Sequence, residues 1–169
     1  MSVLSSRDIK KLIAAEPPLV EGYIDLEQQV QANGFDLSLR DVAVIPSAGC
    51  VAADNAGRVI PNASPLVFDG LGRIDLPAGI YIITYNEIVH LPKHIMALGR
   101  PRSSLLRCGV TVHMSVWDAG YSGRSQSLMV VYNPFGFRLQ RSARVSQLVF
   151  HDIGSETEAY NGNYQKENI

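Results

Sequence analysis

Residues 110–136 read VTVHMSVWDAGYSGRSQSLMVVYNPFG, and this stretch decides the fold class. Apolar side chains alternate with other residues at Val110, Val112 and Met114, which is the period of a half-buried β-strand. A second apolar run follows at 128–132. Two glycines and a Pro-Phe-Gly sequence supply turn signals around these runs. The stretch therefore predicts short strands separated by turns.

The same pattern covers most of the chain after Gln31. Short apolar runs stand at 42–45, 80–84, 95–98, 110–116, 128–132 and 145–150. Gly, Pro, Asn and Asp residues break the sequence between them. Many short strands at such spacing predict a mainly all-β fold, either a sandwich or a distorted β-barrel.

The two ends of the chain differ from this pattern. Ser5 or Ser6 can cap a short N-terminal helix in which apolar residues recur at helical spacing, and the Pro-Pro pair at 17–18 ends it. Residues 154–169 are polar with two tyrosines, so they form either a disordered tail or an arm that orders on a ligand or a neighbouring chain. We therefore expect one domain over residues 1–153, followed by this tail.

Composition excludes several classes of protein. Of the 169 residues, 46% are hydrophobic, which excludes wholesale disorder. No apolar run approaches the roughly 20 residues that span a bilayer, and no basic start precedes an apolar stretch, so we expect neither a membrane span nor a secretory signal. The two cysteines, Cys50 and Cys108, are too few for a disulfide framework and are expected to be buried or partly buried thiols in a reducing cytoplasm.

The charge distribution points to an anionic ligand. The net charge is −1, which argues against non-specific binding of nucleic acid. Between 88 and 151, however, the only acid is Asp118, and the cations are Lys93, Arg100, Arg102, Arg107, Arg124, Arg138, Arg141 and Arg144. Guanidinium groups match phosphate oxygens in pairs. The alternative is a solvated surface that the acidic ends of the chain balance.

The segment 99–107 has the composition of a phosphate cradle. Pro101 ends the preceding strand, and Arg102, Ser103, Ser104 and Arg107 follow. A turn entering a short helix here would place N–H groups and hydroxyls beside guanidinium groups. The alternative is an ordinary helix start that Ser103 caps.

The segment 116–123 carries the isolated acid. Two glycines, Gly120 and Gly123, flank Tyr121 directly after Asp118. The glycines allow positive φ and a close approach to a flat ligand, and the tyrosine can stack on a sugar or base. Asp118, among arginines, can act as a general base on water. The alternative is a hairpin turn in which Asp118 forms a structural salt bridge.

Two further polar residues stand out. Gln147 interrupts the apolar run 145–150, so its amide needs partners and is either a structural bridge or a ligand contact. Asp36 opens a strand after an Asn-Gly turn at 33–34, and turn chemistry alone explains it.

Together and in this order, these four segments resemble the motifs of the dUTPase superfamily, which includes dCTP deaminases and archaeal-type dUTPases close to them. The matching segments are Asn33-Gly-Phe-Asp-Leu37, Pro101-Arg-Ser-Ser-Leu-Leu-Arg-Cys-Gly109, Trp117-Asp-Ala-Gly-Tyr-Ser-Gly123 and Arg144-Val-Ser-Gln-Leu-Val-Phe150. The resemblance covers about residues 4–165. It implies a distorted β-barrel of jelly-roll type, a homotrimer with active sites between subunits, and Mg²⁺ accompanying a triphosphate.

The resemblance also assigns roles to residues. It makes Asp118 the water-activating carboxylate, and gives Arg102, Ser103, Ser104, Arg107 and Gln147 contacts with the phosphates. It places Tyr121 against the deoxyribose and the backbone from about Val110 to Gly120, including Val116, against the pyrimidine. It places Tyr160 and Gln165 on the nucleotide as part of a tail that closes as a lid. Asp36 would reach the metal through water. His113 would be structural or lie at the trimer interface or the site mouth.

One absence separates the activities within this superfamily. Its deaminases carry a catalytic glutamate in the strand after the third motif, where this chain has Leu128 or Val130, depending on the alignment. No Asp or Glu occurs from 119 to 151, and no His/Cys/Cys zinc constellation is present. With this absence, the resemblance implies a dUTP diphosphatase that forms dUMP and pyrophosphate with Mg²⁺. The alternatives are a dCTP deaminase or bifunctional enzyme, a non-catalytic nucleotide-binding homologue, and a structural jelly-roll subunit.

Overall fold

The structure is a computed structural model, and it describes residues 2–169. The helices are α1 (Ser6–Ile13), α2 (Leu26–Gln29) and α3 (Ser103–Arg107), with one turn of 3₁₀ helix at Asn55–Gly57. The strands are β1 (Ser2–Val3), β2 (Val20–Glu21), β3 (Val30–Gln31), β4 (Gly34–Val44), β5 (Ser64–Pro65), β6 (Arg73–Leu76), β7 (Gly79–Tyr85), β8 (Ile88–His90), β9 (Ile95–Pro101), β10 (Val110–His113), β11 (Val116–Trp117), β12 (Ser122–Gly123), β13 (Gln126–Val131), β14 (Phe137–Gln140) and β15 (Arg144–Asp152).

The main sheet has ten strands and curls because one long strand changes partner. Its central path runs β10-β13-β7-β4-β15-β9-β11, with β1, β3 and β5 attached to its sides. The first part of β4, Phe35–Ser38, pairs with β15, and its second part, Leu39–Ala43, pairs with β7. Register shifts in both pairings mark the change, as β-bulges do where a sheet bends. The predicted all-β, jelly-roll-like barrel fold is confirmed.

The predicted N-terminal helix is present as α1. Ser5 is its N-cap, and the Ser5 and Asp8 side chains form a reciprocal capping box. Ile9 and Ile13 are buried against the sheet, which anchors the helix. The helix ends before the Pro-Pro pair, as the sequence predicts.

One predicted strand is divided in two. The run Val110–Val116 forms β10, which pairs with β13, and β11, which pairs with β9. The chain leaves one side of the curled sheet at Met114 and Ser115 and joins the other side. Apolar alternation cannot show this change, because both halves keep a strand period while their partners differ.

The core lies inside the curl. Its largest fully buried side chains include Phe35, Phe150, Leu148, Met129 and Ile83. The prediction of buried thiols is wrong, since both cysteines are exposed. A buried polar cluster adjoins this core, with Glu87 only 1% exposed. The Glu87 carboxylate accepts hydrogen bonds from the backbone N–H and hydroxyl of Ser38 and from Gln29 Nε2, at 2.5–2.9 Å. Burial raises the pKa of Glu87, and these donors oppose the rise.

Within residues 2–169, no helix is both long enough and apolar enough to cross a membrane.

Candidate active site

A cleft of about 680 Å³ opens beside the third motif. Its walls come from the β10–β11 segment, from β13 and from the C-terminal tail, and they include His113, Asp118, Tyr121, Leu128, Tyr160 and Glu167. The volume lies in the range of small-molecule sites. Of the residues predicted to contact the nucleoside, Val116, Tyr121 and Tyr160 line the cleft together.

Asp118 lies at the mouth of this cleft on a firmly held backbone. It directly follows β11, whose Val116 pairs with Leu98 of β9. The preceding residue, Trp117, is buried, and its Nε1 donates to Ser125 Oγ at 2.7 Å. Asp118 itself is exposed. The strand and the buried indole thus present a carboxylate to solvent at a defined place.

Tyr121 is buried in the wall of the cleft, with 6% of its surface exposed. Its hydroxyl lies 2.8 Å from Ser125 Oγ and donates to Glu167 Oε1 at 2.8 Å. Its ring meets Tyr160 edge-on, with the two ring centroids 5.8 Å apart. Burial is the main reason why the pKa of Tyr121 is raised, and the adjacent carboxylate of Glu167 adds to the rise. Tyr121 is therefore a neutral hydrogen-bond donor at any ordinary pH.

The two glycines beside Tyr121 receive the chain's own tail. Gly120 has φ +81°, as expected for a residue that the sequence assigned to a positive-φ turn, and a Cβ there would lie 2.6 Å from Ala159 Cβ. Gly123 lies in β12, where a Cβ would lie 2.5 Å from the Tyr121 hydroxyl and 3.3 Å from Glu167 Cγ. The close approach expected of a flat ligand is thus made by the tail and by Tyr121 itself.

The tail is ordered along the third motif by polar contacts. Gln165 accepts from the Ser122 N–H at 2.8 Å and donates to the carbonyls of Gly120 and Tyr160, each at 2.9 Å. The Tyr160 N–H donates to the Ala119 carbonyl at 2.9 Å. Residues 154–169 could form a disordered tail or an ordered arm, and the structure shows an arm that is packed against the third motif.

A second cluster of predicted residues lies at the ends of β4, β9 and β15. Asp36 Oδ2 accepts from Arg102 Nε at 3.1 Å and from Arg144 at 3.3 Å. Asp36 is buried, and its burial raises the pKa of the carboxyl, while the two guanidinium groups oppose the rise. Gln147 pairs in register with Asp36 and Arg100, and its side chain covers Gly34. Turn chemistry therefore does not exhaust the role of Asp36, since its carboxylate holds two arginines.

The serine-arginine segment forms the short helix α3. The helix begins at Ser103, and its N-cap is Arg102, which makes no side-chain capping bond. The alternative in which Ser103 caps this helix is therefore not what the structure shows. Ser103, Ser104 and Arg107 are exposed. Their side chains are open to an anion.

The two clusters do not share one cleft within a protomer. The lining of the Asp118 cleft includes none of Asp36, Gln147 or the α3 residues. Strand β9 connects the two places, since Leu98 pairs with Val116 and Arg100 pairs with Gln147. A site that uses both clusters needs either a long substrate or a neighbouring protomer.

The arginine-rich stretch is partly balanced within the fold. Arg138 pairs with Asp75 at 2.7 Å and Arg141 pairs with Asp41 at 3.1 Å. The acids come from β4 and β6, far from the arginines in sequence. For these two arginines the structure thus supports the alternative prediction, a solvated surface on which acids balance the arginines. Arg107 on α3 stays available to a ligand.

The described residues supply no protein cage for a metal. Within 2–169, no group of three or more His, Cys, Asp or Glu side chains is placed to hold an ion. The Asp36 carboxylate already binds two arginines. Mg²⁺ commonly keeps several waters and binds through substrate phosphates. A magnesium ion at this site would therefore need ligands other than these side chains, such as water or the phosphates of a bound ligand.

The sequence does not predict two residues that line the site. Glu167 and Ser125 both bind the Tyr121 hydroxyl, and neither belongs to a motif. The polar serine within the segment between β12 and β13 gives no signal by itself. The acidic residue near the C-terminus looks like any solvated tail charge, because 46 residues separate it from Tyr121.

Comparison with known proteins places these features in a family. A model of the dCTP deaminase-like family matches residues 3–153. The chain is 50% identical over 169 residues to a probable deoxyuridine 5′-triphosphate nucleotidohydrolase of Methanosarcina mazei, covering 99% of each chain. It is 47% identical to the protein of the same name from Archaeoglobus fulgidus, covering 100% of this chain and 99% of the other.

The fold comparison agrees with the sequence comparison. The crystal structure of 2′-deoxycytidine 5′-triphosphate deaminase from Agrobacterium tumefaciens superposes with a TM-score of 0.65 at 24% identity, covering 88% of this chain and 46% of that one. At this identity the likeness concerns the fold. The resemblance to the dUTPase superfamily is confirmed, and the chain belongs to the dCTP deaminase-like family.

Proposed function

We propose that this protein is a dUTP diphosphatase that converts dUTP and water to dUMP and pyrophosphate. The observation that carries the proposal is the exposed Asp118 carboxylate at the mouth of a nucleotide-sized cleft, on a chain about half identical over its full length to proteins named deoxyuridine 5′-triphosphate nucleotidohydrolases. A protein that only binds an anionic nucleotide gains nothing from a carboxylate there, since it repels phosphate. We expect the enzyme to act in the cytoplasm.

In the proposed reaction, Asp118 accepts a proton from a water molecule. The water oxygen attacks the α-phosphorus, the bond to the bridging oxygen breaks, and pyrophosphate leaves. Arginine side chains stabilise the negative charge that builds on the phosphate oxygens. Among the described residues, no cluster of side chains would hold Mg²⁺, so the ion would be bound by the substrate phosphates and would neutralise part of their charge. Exposure of Asp118 supports this role because a water molecule can reach its carboxylate.

The nucleotide would lie between the two clusters. In this arrangement Val116, Tyr121 and Tyr160 contact the nucleoside, while Gly120 and Gln165, which bind each other, hold the tail that closes over it. Arg102, Ser103, Ser104, Arg107 and Gln147 contact the phosphates. The tail's hydrogen bonds to the third motif support its role as a lid, since they place two of its aromatic side chains at the cleft.

The deaminase alternative meets a chemical obstacle in the cleft wall. Leu128 lines the cleft at one of the two positions where the deaminases carry glutamate. Val130, the other position, lies on the same face of β13, two residues further on. Neither side chain can move a proton between water, ring nitrogen and leaving amine. Ammonia release from dCTP would overturn the proposed branch.

The test is product analysis with one substitution and a matched control. With Mg²⁺, the wild-type protein should release dUMP and pyrophosphate from dUTP. Loss of a general base costs about 10²–10⁴-fold in rate, so Asp118→Asn should lose turnover on this scale and still bind a non-hydrolysable imido analogue of dUTP. Asp75→Asn changes an exposed carboxylate on β6, outside the cleft, and should leave turnover unchanged. Turnover of the Asp118 variant within tenfold of wild type would contradict the mechanism.

We further propose that the protein forms a homotrimer in which adjacent protomers complete each site. The separation of the two clusters within one chain supports this arrangement. Large apolar side chains are also exposed on neighbouring elements, namely Ile80, Leu106, Tyr132 and Phe135. Such side chains often mark protein–protein contacts.

Subunit mixing tests the shared site. Asp118→Asn and Arg102→Ala should each be inactive alone. If one protomer supplies Arg102 and its neighbour supplies Asp118, then a random equal mixture of refolded or co-expressed subunits regains about a quarter of the wild-type activity, because one site in four receives both intact residues. A site contained within one protomer regains none, and that outcome would refute the shared site. Light scattering on the same samples measures the oligomeric state.

A further inference from the structure

The hydroxyl of Tyr121 belongs to a directed chain of hydrogen bonds. Trp117 Nε1 can only donate, and it donates to Ser125 Oγ at 2.7 Å. An ionised Glu167 carboxylate can only accept, and it accepts the Tyr121 proton at 2.8 Å. The remaining bond, 2.8 Å between Ser125 Oγ and the Tyr121 hydroxyl, must then carry the serine proton to the tyrosine oxygen. Each of these three hydrogen bonds therefore has a defined donor and acceptor, and the last acceptor is Glu167.

The backbone fixes the position of Glu167 independently of its side chain. The Lys166 N–H donates to the Ser122 carbonyl at 2.7 Å, and the Arg124 N–H donates to the Glu167 carbonyl at 2.9 Å. Asn168 Nδ2 donates to the Arg124 carbonyl at 2.9 Å. The last turn of the tail is thus attached along β12. Removing the Glu167 carboxylate should leave this backbone in place.

The contact between Tyr121 and Glu167 requires a glycine at position 123. A side chain at Gly123 would occupy the space of the Tyr121 hydroxyl and approach Glu167 Cγ at 3.3 Å. Burial raises the pKa of the Glu167 carboxyl, and the hydrogen bond from Tyr121 opposes the rise. A half-buried carboxylate at this place is unfavourable by itself. Its direct partner is the hydroxyl of a ring that lines the cleft.

We propose that Glu167 is a positioning residue that holds the Tyr121 ring in place, and that it thereby sets the preference for deoxyribonucleotides over ribonucleotides. This inference rests on the proposed function, in which Tyr121 lies against the deoxyribose. A ring held at its hydroxyl by Glu167 and Ser125 cannot turn aside to admit a 2′-hydroxyl. A ring released on the Glu167 side can.

The experiment compares kcat and KM for dUTP and UTP in wild-type protein and in Glu167→Ala, Glu167→Gln and Tyr121→Phe. A hydrogen bond to a charged group corresponds to roughly tenfold or more in an equilibrium. We expect Glu167→Ala to lower the dUTP:UTP ratio of kcat/KM about tenfold, mainly through better use of UTP. Glu167→Gln keeps an acceptor oxygen and should retain the ratio within about threefold. Glu158→Ala, an exposed tail residue, is the matched control and should retain it fully.

A double mutant separates positioning from a general loss of structure. Tyr121→Phe removes the same hydrogen bond from the other side, so the combination with Glu167→Ala should lower the ratio no further than the larger single effect. Independent, multiplying effects would refute the proposal. A Glu167→Ala ratio within twofold of wild type would refute it as well.

Binding data distinguish failure of this inference from failure of the proposed function. The same variants are titrated with dUDP and UDP in a calorimeter. A wild-type protein that does not hydrolyse dUTP refutes the proposed activity, and the ratio of the two Kd values then decides the role of Glu167. If that ratio is unchanged in Glu167→Ala, the positioning role is wrong whatever the activity.

Discussion

The tail packs closely on the third motif at Gly120, so substitution of Gly120 tests whether that packing holds the tail. Gly120 has φ +81°. In Gly120→Ala the new Cβ would lie 2.6 Å from Ala159 Cβ, 2.7 Å from Ala159 Cα and 3.1 Å from the Tyr160 nitrogen. Ala159 is backbone and methyl only, and it cannot swing away as a flexible side chain would.

The magnitude follows from two separate costs. An alanine at positive φ costs about 1–2 kcal/mol wherever it stands. Ordinary contact between carbon atoms is about 3.5–4.0 Å, so the tail must also move by about 1 Å. That movement breaks the 2.9 Å bond from the Tyr160 N–H to the Ala119 carbonyl, which is worth about 1 kcal/mol. Because a tail can open while the barrel stays folded, the first cost lowers global stability and the second loosens the tail.

The assay measures the two costs separately. Gly72→Ala is the matched control, because Gly72 has φ +69° and a Cβ there would meet only Arg141 Cβ, at an ordinary 3.7 Å. Both variants should melt roughly 2–8 °C below wild type. Limited chymotrypsin digestion followed by mass spectrometry should cut the tail of Gly120→Ala at least about fivefold faster than that of Gly72→Ala. Equal tail cleavage in the two variants would refute the view that this contact holds the tail.

Two further predictions concern the barrel. Burial raises the pKa of Glu87, so the contribution of Glu87 to stability is fully present below its unfolded pKa and is lost as the pH rises through its folded pKa. The urea midpoint of wild type should therefore fall relative to that of Glu87→Gln between pH 4.5 and pH 8. A constant difference between the two midpoints would contradict the raised pKa. Leu148 is fully buried, so Leu148→Ala should cost about 2–5 kcal/mol of unfolding free energy, whereas Leu71→Ala, at a residue 64% exposed, should change the urea midpoint little.

The sequence predicts the elements of this fold well because their causes are local. A capping serine, apolar spacing and a Pro-Pro pair are enough to define α1, and alternation with turn residues finds most of the long strands. The turn at 33–34 predicts a strand that opens at Asp36, and β4 begins at Gly34, although no apolar run marks this part because buried Asp36 and Ser38 are polar. Their partners, Arg102 and Glu87, are distant in sequence, and no local rule supplies them.

The candidate site, too, can be predicted from the sequence only where the cause is local. Asp118 is visible because a lone acid in a basic stretch is a local anomaly, and the structure places it at a cleft. The arginines look alike in sequence, yet Arg138 is paired with Asp75 while Arg107 is exposed on α3. Only the pairing of β6 with β14 makes that distinction, and register between distant strands is not encoded in a short window.

The barrel and the tail both line the cleft, but they are held in the fold by different interactions. The family match ends at residue 153, and it contains Asp118, the sheet and the serine-arginine segment. Tyr160, Tyr164 and Glu167 lie beyond it and still line the cleft. The tail is attached through hydrogen bonds and through contacts at two glycines, and it contributes none of the large fully buried side chains of the barrel core. If the cleft binds a nucleotide as proposed, changes in the tail's side chains should alter which nucleotide it accepts while the barrel that carries Asp118 keeps its packing.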